Sequence, residues 1–325
     1  MIYTLTLNPS IDYVVNVDNL TLGKVNRTLN DIKFPGGKGI NVSRVLSNQG
    51  VSNIALGFIG GFTGEFVEKS LKDLNINTDF IKVSGDTRIN VKVKSNIETE
   101  INGSGPKISD EGLKCLFDKL SKLTCSDILV LAGNVQNTLP STLYSQIQSM
   151  VNKNKVKVVV DTSGPALLEA IKNKPFLIKP NNHEISEIFN VKINNTDELI
   201  NYGRKLNEMG AENVIISLAG DGALLICSQG VFFGNAPKGK VKNSVGAGDS
   251  LVGGFLAEYS KTSDLLKAFK NGIASGSASA FSLDLCEKDF VQELLPIINI
   301  VPYKMILSIL LDSFFSHSWL LGSLV

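Results

Sequence analysis

Four short runs, Ile54 to Ile59, Ile128 to Ala132, Val156 to Val160 and Phe176 to Ile178, consist almost wholly of Ile, Val, Leu, Ala and Phe. A strand with no polar face must be covered on both sides. The stretches between these runs carry helical spacing: Gly64 to Leu74, Asp110 to Leu123, Ser141 to Val151 and Ala166 to Ile171. Strand and helix in alternation predict an α/β fold, a doubly wound and mostly parallel sheet with helices on both faces. Residues 2 to 8 add a strand that ends at Asn8 and Pro9. Val214 to Leu218, turning through Gly220, Asp221 and Gly222 into Ala223 to Cys227, adds a hairpin.

Two further sets of short alternating segments do not fit the parallel sheet. Val15 and Val17 lie between Tyr13 and Phe34. Val91 and Val93, interleaved with Lys92 and Lys94, lie between Ile89 and Ile101. One-faced alternation predicts antiparallel strands, here a small β-sheet lid over the carboxyl edge of the main sheet. The expected organisation is an α/β core over residues 1–10, 35–86 and 107–295, and a lid over 11–34 and 87–106. An atypical apolar tail occupies 296–325.

Charge excludes some classes. The 32 Lys and Arg balance 31 Asp and Glu, and no basic block stands out, so neither nucleic acid nor an anionic membrane surface is an expected partner. The four cysteines are widely spaced and only two histidines are present, which excludes a zinc finger and points to a reducing cytoplasm. The N-terminus has no basic region ahead of its apolar residues and reads as a first strand, not a signal peptide. In the tail, Asp312 and His317 interrupt an apolar run from Met305 to Val325. A membrane helix, an amphipathic packing helix, and residues foreign to the fold are its three readings, the last two ranking higher.

Two glycine loops carry the chemistry. Asn243 to Ser250 reads NSVGAGDS and precedes an apolar run of helical spacing, so it predicts a loop opening into a helix N-terminus. Such a terminus presents unpaired N–H donors and a partial positive charge to an anion. Asp249 falls in the first turn, placed to accept a proton, although capping the helix is the competing role. The second loop, Gly36 to Gly39, adds Lys38 and Asn41; the GxxxxGK[ST] spacing of a Walker A loop is absent. Asp12, Asp161, Lys179 and Asn181 fall at or just beyond strand ends, the edge where open α/β sheets bind ligands. Glu184 is a candidate for holding Mg²⁺ through water, or else a first-turn residue favoured by the helix dipole.

Seven motifs in order, TLNPSID, FPGGKGINVSRVL, TRINVK, TEINGSGP, KPNNHEISE, SLAGDGA and NSVGAGDS, resemble the ribokinase-like sugar kinases of the phosphofructokinase-B branch over roughly residues 1–295. The resemblance implies transfer of the γ-phosphoryl of ATP, with Mg²⁺, to a hydroxyl of fructose 1-phosphate, giving fructose 1,6-bisphosphate. Tagatose 6-phosphate is the competing acceptor. It also implies roles: Asp249 as base, with the N–H groups of Gly246, Ala247 and Gly248 as anion hole. Asp12, Gly37 and Asn41 would bind sugar hydroxyls, and Lys38 and Arg88 the substrate phosphate. Lys179, Asn181, Ser217 and Gly222 would border the nucleotide, and Glu184 would organise Mg²⁺.

A non-catalytic sensor of the same fold would lack Asp249 or Glu184, and both are present. An NAD-type oxidoreductase would need GxGxxG after a strand with an acidic residue about 20 positions on, which is missing. An uncovered face of the lid sheet predicts a homodimer through it.

Overall fold

The computed structural model describes residues 1–303. β1 (Ile2–Thr6) opens the main sheet, and β2 (Ser10–Asn16) and β3 (Asn30–Gly36) leave it for a second, smaller one. The chain returns through α1 (Lys38–Asn48) to β4 (Asn53–Ile59), then through α2 (Gly61–Asp73) to the short β5 (Asn77–Thr78) and β6 (Ile81–Lys82). β7 (Arg88–Lys94) and β8 (Thr99–Asn102) complete the small sheet. Strict alternation follows: α3 (Asp110–Leu120), β9 (Ile128–Ala132), α4 (Leu143–Val151), β10 (Lys157–Asp161), α5 (Gly164–Ile171) and β11 (Leu177–Ile178). Next come α6 (Asn182–Phe189), α7 (Thr196–Glu208) and β12 (Val214–Ser217). The hairpin β13 (Ala223–Cys227) and β14 (Gly230–Gly234) precedes α8 (Ala247–Thr262), α9 (Leu265–Ala280), α10 (Lys288–Leu294) and β15 (Ile300–Pro302).

The main sheet has eleven strands in the order β15-β14-β13-β12-β11-β10-β9-β1-β4-β5, with β6 also on β4. From β12 to β5 the pairs are parallel; β12 through β15 pair antiparallel. Period 2 explains why its strands lack polar faces. In β9, Leu129 and Leu131 enter one core, whereas Ile128, Val130 and Ala132 enter the other. The first core lies under α3, α4, α5 and α7, and the second under α1, α8 and α9. Phe255 of α8 is fully buried in the second, and burial of such a side chain stabilises by about 2–3 kcal/mol.

The α8–α9 contact admits no side chain at Gly254. A Cβ there would lie 2.1 Å from Ser275 Oγ and 2.9 Å from the Asn271 carbonyl. Ser279 Oγ donates to Ser250 Oγ at 2.6 Å and accepts from the Cys286 N–H at 2.8 Å, which ties the first turn of α8 to the end of α9.

The small sheet runs β3-β2-β7-β8. Its outer pairs are antiparallel, and the central β2–β7 pair is parallel because both strands leave the main sheet's carboxyl edge in the same sense. Register places Asp12, Asn90 and Lys92 on one face. Ile89, Val91 and Ile101 fall on the other, where Ile89 is 40% and Ile101 62% exposed.

Residues 300–302, given to the tail by the sequence reading, belong instead to the core. They form β15 against β14, and Tyr303 Oη donates to Asp197 Oδ1 at 2.7 Å. The readings of Met305 to Val325 lie outside the described residues.

Candidate active site

The carboxyl ends of the parallel strands, the two glycine loops and the inner face of the small sheet enclose a cleft of about 630 Å³. Every site residue expected from the sequence lines it: Asp12, Gly37, Lys38, Asn41, Arg88, Lys179, Asn181, Glu184, Ser217, Gly222, Gly246, Ala247, Gly248 and Asp249.

The NSVGAGDS loop enters α8 three residues earlier than its apolar run suggests. Gly246, with φ 78°, is the N-cap, so Ala247, Gly248 and Asp249 already form the first turn. The left-handed backbone at Gly246 favours glycine, and a Cβ would also meet Leu285 at 2.7 Å. The Ala247 N–H is turned to the Ser244 carbonyl at 3.3 Å, whereas those of Gly246, Gly248 and Asp249 have no partner among the described residues. The unpaired backbone donors at this helix terminus are therefore these three, and of the N–H groups expected to form an anion hole that of Ala247 is already engaged.

Asp249 is buried, and Asn41 Nδ2 donates to its Oδ2 at 2.8 Å. Burial raises its carboxyl to a pKa of about 6, helped by the neighbouring charge of Asp161 and opposed by Lys38, Asn41 and Lys179. A carboxyl poised near neutrality suits a general base.

Asp161, at the end of β10, is the residue around which the cations gather. Its Oδ1 lies 3.4 Å from Lys38 Nζ and 3.5 Å from Lys179 Nζ, and its Oδ2 is buried without a partner. Burial pushes its carboxyl up, but the two lysines outweigh it and hold the pKa below the ordinary value. Asp161 in turn pushes the Lys38 ammonium up. The sequence placed Asp161 at a strand end and gave it no role; its partners are 123 and 18 positions away, beyond any local signal.

On the lid side, Asp12 accepts from Ser10 Oγ at 2.8 Å and Asn90 Nδ2 at 3.1 Å, and pairs with Lys92 Nζ at 3.0 Å. Asn90 and Lys92 were read only as strand residues, and the sheet register is what brings them to the site. Arg88 donates to the carbonyls of Asn8 at 3.1 Å and Gly103 at 3.3 Å, and burial lowers its pKa.

On the opposite side, Asn181 and Glu184 form a capping box at the start of α6. Asn181 Oδ1 accepts from the Glu184 N–H at 2.8 Å, and Glu184 Oε2 accepts from the Asn181 N–H at 2.9 Å. Glu184 thus caps α6, and its Oε1 makes no hydrogen bond among the described residues. No group of three or more His, Cys, Asp or Glu among them can cage a metal. A lone carboxylate oxygen on a cleft wall fits a hydrated Mg²⁺, which needs few protein ligands. Asn181 also bridges to Ser217, joining the two strand ends expected to border a nucleotide.

The model of the pfkB family of carbohydrate kinases matches residues 5–288. The 1-phosphofructokinase of Bacillus subtilis (strain 168) is 53% identical over 92% of this chain and 99% of its own length. The D-tagatose-1-phosphate kinase of Bacillus licheniformis is 37% identical over 88% of this chain and 94% of its own length. The structure of phosphofructokinase-2 from Escherichia coli in complex with substrates and products superposes with a TM-score of 0.87, covering 91% of this chain and 98% of that one at 28% identity. The chain belongs to the pfkB family of carbohydrate kinases, with their ribokinase-like fold.

Proposed function

We propose that the chain transfers the γ-phosphoryl of ATP to the free primary hydroxyl of fructose 1-phosphate, giving fructose 1,6-bisphosphate and ADP. The observation that carries this reading is Asp249, buried and hydrogen-bonded to Asn41 at the N-terminus of α8, with Lys38 and Lys179 close enough to act on its charge. The sugar hydroxyl gives its proton to Asp249 as its oxygen bonds to the γ-phosphorus, and the bond from that phosphorus to the bridging oxygen breaks. The transition state is loose, so positioning and charge neutralisation matter more than base strength. The Gly246, Gly248 and Asp249 N–H groups receive the transferring phosphoryl, and a donor fixed in this way is typically worth about 3–4 kcal/mol. Asp12 and Asn41 hold sugar hydroxyls beside Gly37, and Lys38 and Arg88 hold the substrate phosphate. Lys179, Asn181, Ser217 and Gly222 border the nucleotide. Glu184 would hold hydrated Mg²⁺, which supplies neutralisation of the phosphate charge.

The relatives named for fructose and for tagatose phosphates support two acceptors, epimers at one carbon. Coupled ADP release with fructose 1-phosphate, tagatose 1-phosphate, tagatose 6-phosphate and fructose 6-phosphate separates them. Preference for fructose 1-phosphate is expected; preference for a tagatose phosphate keeps the mechanism and moves the substrate, and no turnover overturns the reading. Full-length protein should be compared with protein ending after Tyr303, since ending after Leu295 would remove β15.

The apolar outer face of the small sheet, with Ile89 and Ile101 exposed, supports a homodimer through the lid. No helix among the described residues is long and apolar enough to cross a membrane, and all four cysteines are free. A reducing cytoplasm remains the proposed compartment.

A further inference from the structure

Arg44 lies on α1 one turn after Asn41, and the mechanism above gives it no part. Its side chain is buried, yet its guanidinium is sparsely satisfied there. Nη2 donates to Asp284 Oδ2, while Nε is buried without a partner among the described residues. Taking a guanidinium out of water is costly, and an apolar side chain of similar volume often serves a fold as well or better. Stability is therefore a weak reason for an arginine at this position, and the groups that it touches supply a stronger one.

Asp284 belongs to the segment between α9 and α10, which backs the NSVGAGDS loop. Asn243 Nδ2 donates to the Leu283 carbonyl at 3.2 Å, and Leu285 lies so near Gly246 that a Cβ there would meet it at 2.7 Å. α1 holds this segment twice, through Arg44 and, one turn further on, through Asn48 Nδ2, which donates to the Cys286 carbonyl at 3.0 Å. The Arg44 guanidinium also lies 5.9 Å from the centre of the Phe34 ring, within reach of a cation–π contact. Phe34 stands on β3 directly across from Asp12 of β2. One side chain thus touches both a strand of the small sheet and the segment behind Gly246.

We propose that Arg44 is a positioning residue for phosphoryl transfer, tying the segment after α9, and through it the Gly246 loop, to strand β3 of the small sheet. It acts through the N–H groups of that loop and through the placement of Asp249, and touches neither substrate. The inference deepens the sugar-phosphate kinase reading and rests on it for the chemistry that the loop performs. A misplacement of about 1 Å among groups that meet the reacting atoms can cost about a hundredfold in rate, so a modest tie has large leverage.

The test uses the full chain and three variants: Arg44→Met, which keeps much of the volume and removes the charge, Asp284→Asn on the partly exposed partner, and Phe34→Leu. The readouts are kcat and KM for fructose 1-phosphate by ADP release, amide hydrogen exchange over residues 243–250, and the melting temperature. In Arg44→Met, kcat should fall about tenfold to a hundredfold while KM for the sugar stays within about threefold. Exchange over 243–250 should quicken, and the melting temperature should be no lower than that of the wild type. Asp284→Asn should act in the same direction, and Phe34→Leu should lower kcat about two- to fivefold. Adding either to Arg44→Met should bring no further loss, because all three release one tie.

Unchanged kcat in Arg44→Met and Asp284→Asn, losses that add, or a lower kcat without faster exchange over 243–250 would overturn the assignment. If Arg44→Met fails to fold, Asp284→Asn decides by the same criteria. A merely structural role would lower the melting temperature and leave kcat of the folded protein alone. If the wild-type chain turns over no sugar phosphate but exchange over 243–250 still depends on Arg44, the kinase reading fails and the tie stands. If it turns fructose 1-phosphate over and the variants match it, only the Arg44 assignment fails.

Discussion

The α8–α9 pair and the small sheet both line the cleft, and they are built in opposite ways. Along α8, residues from Asp249 to Ala257 are all buried, and the helix meets α9 at positions where only glycine fits. The small sheet has a core of Val15, Val17 and Val93, with exposed apolar residues such as Leu22, Val25 and Leu29 in the connection beside it. The difference teaches where positional accuracy is needed. The groups proposed to meet the transferring phosphoryl stand on a helix buried through residues Asp249 to Ala257. The groups proposed to meet the sugar stand partly on a sheet whose own core is small, the arrangement expected of an element that can open.

The sharpest way to break this contrast is Asp249→Asn. Binding of both substrates should persist while kcat falls by about three orders of magnitude or more, followed as ADP release; near-normal turnover would remove Asp249 from the chemistry. Gly254→Ala tests the packing itself. A methyl forced against Ser275 and the Asn271 carbonyl should cost about 1–3 kcal/mol in urea unfolding, and should lower kcat by tilting the first turn of α8. If stability falls and kcat does not, the anion hole is less dependent on α9 than the Ser250–Ser279 hydrogen bond suggests.

Ile101→Lys on the outer lid face should behave differently. Stability of the fold should change by no more than about 0.5 kcal/mol, while a dimer seen by light scattering should dissociate. A monomeric wild-type protein at micromolar concentration would end the dimer proposal. The last effects concern pH. Because burial raises Asp249 to about 6, kcat/KM should fall on an acid limb with that midpoint. The sign for stability is opposite. A carboxyl raised in the folded state holds more protons than in the unfolded chain between about pH 4 and 6, so folding stability falls as pH rises through that window. Asp249→Asn should therefore be the more stable protein at pH 7.5, by on the order of 1–3 kcal/mol; equal melting temperatures would contradict the burial argument.

Much of this contrast is legible in the sequence. The apolar runs announce a doubly buried sheet, and the glycine loops announce both ends of the cleft. What escapes is mostly non-local. Asp161 gains its importance from Lys38 and Lys179, which the fold brings to it from distant positions. The parallel β2–β7 pair joins strands separated by β3, α1, β4, α2, β5 and β6, which alternation alone cannot orient. Other omissions had a local signal. Asn195 caps α7 with Glu198 three residues on, and Leu199, Ile200, Gly203 and Leu206 follow at helical spacing. β15 is three residues long and polar at neither end, so its pairing with β14 carries the evidence that its pattern lacks.

The missing side chain at Gly254 also has a meaning for how such a chain can change over generations. A methyl there would press α8 away from α9, so a single exchange at this contact should be costly to folding. Exposed residues of the small sheet such as Ile89 and Ile101 meet no such neighbour, so exchange there should cost folding little. Under the proposed function, a change of sugar preference is therefore expected to come through the small sheet sooner than through the α8–α9 contact.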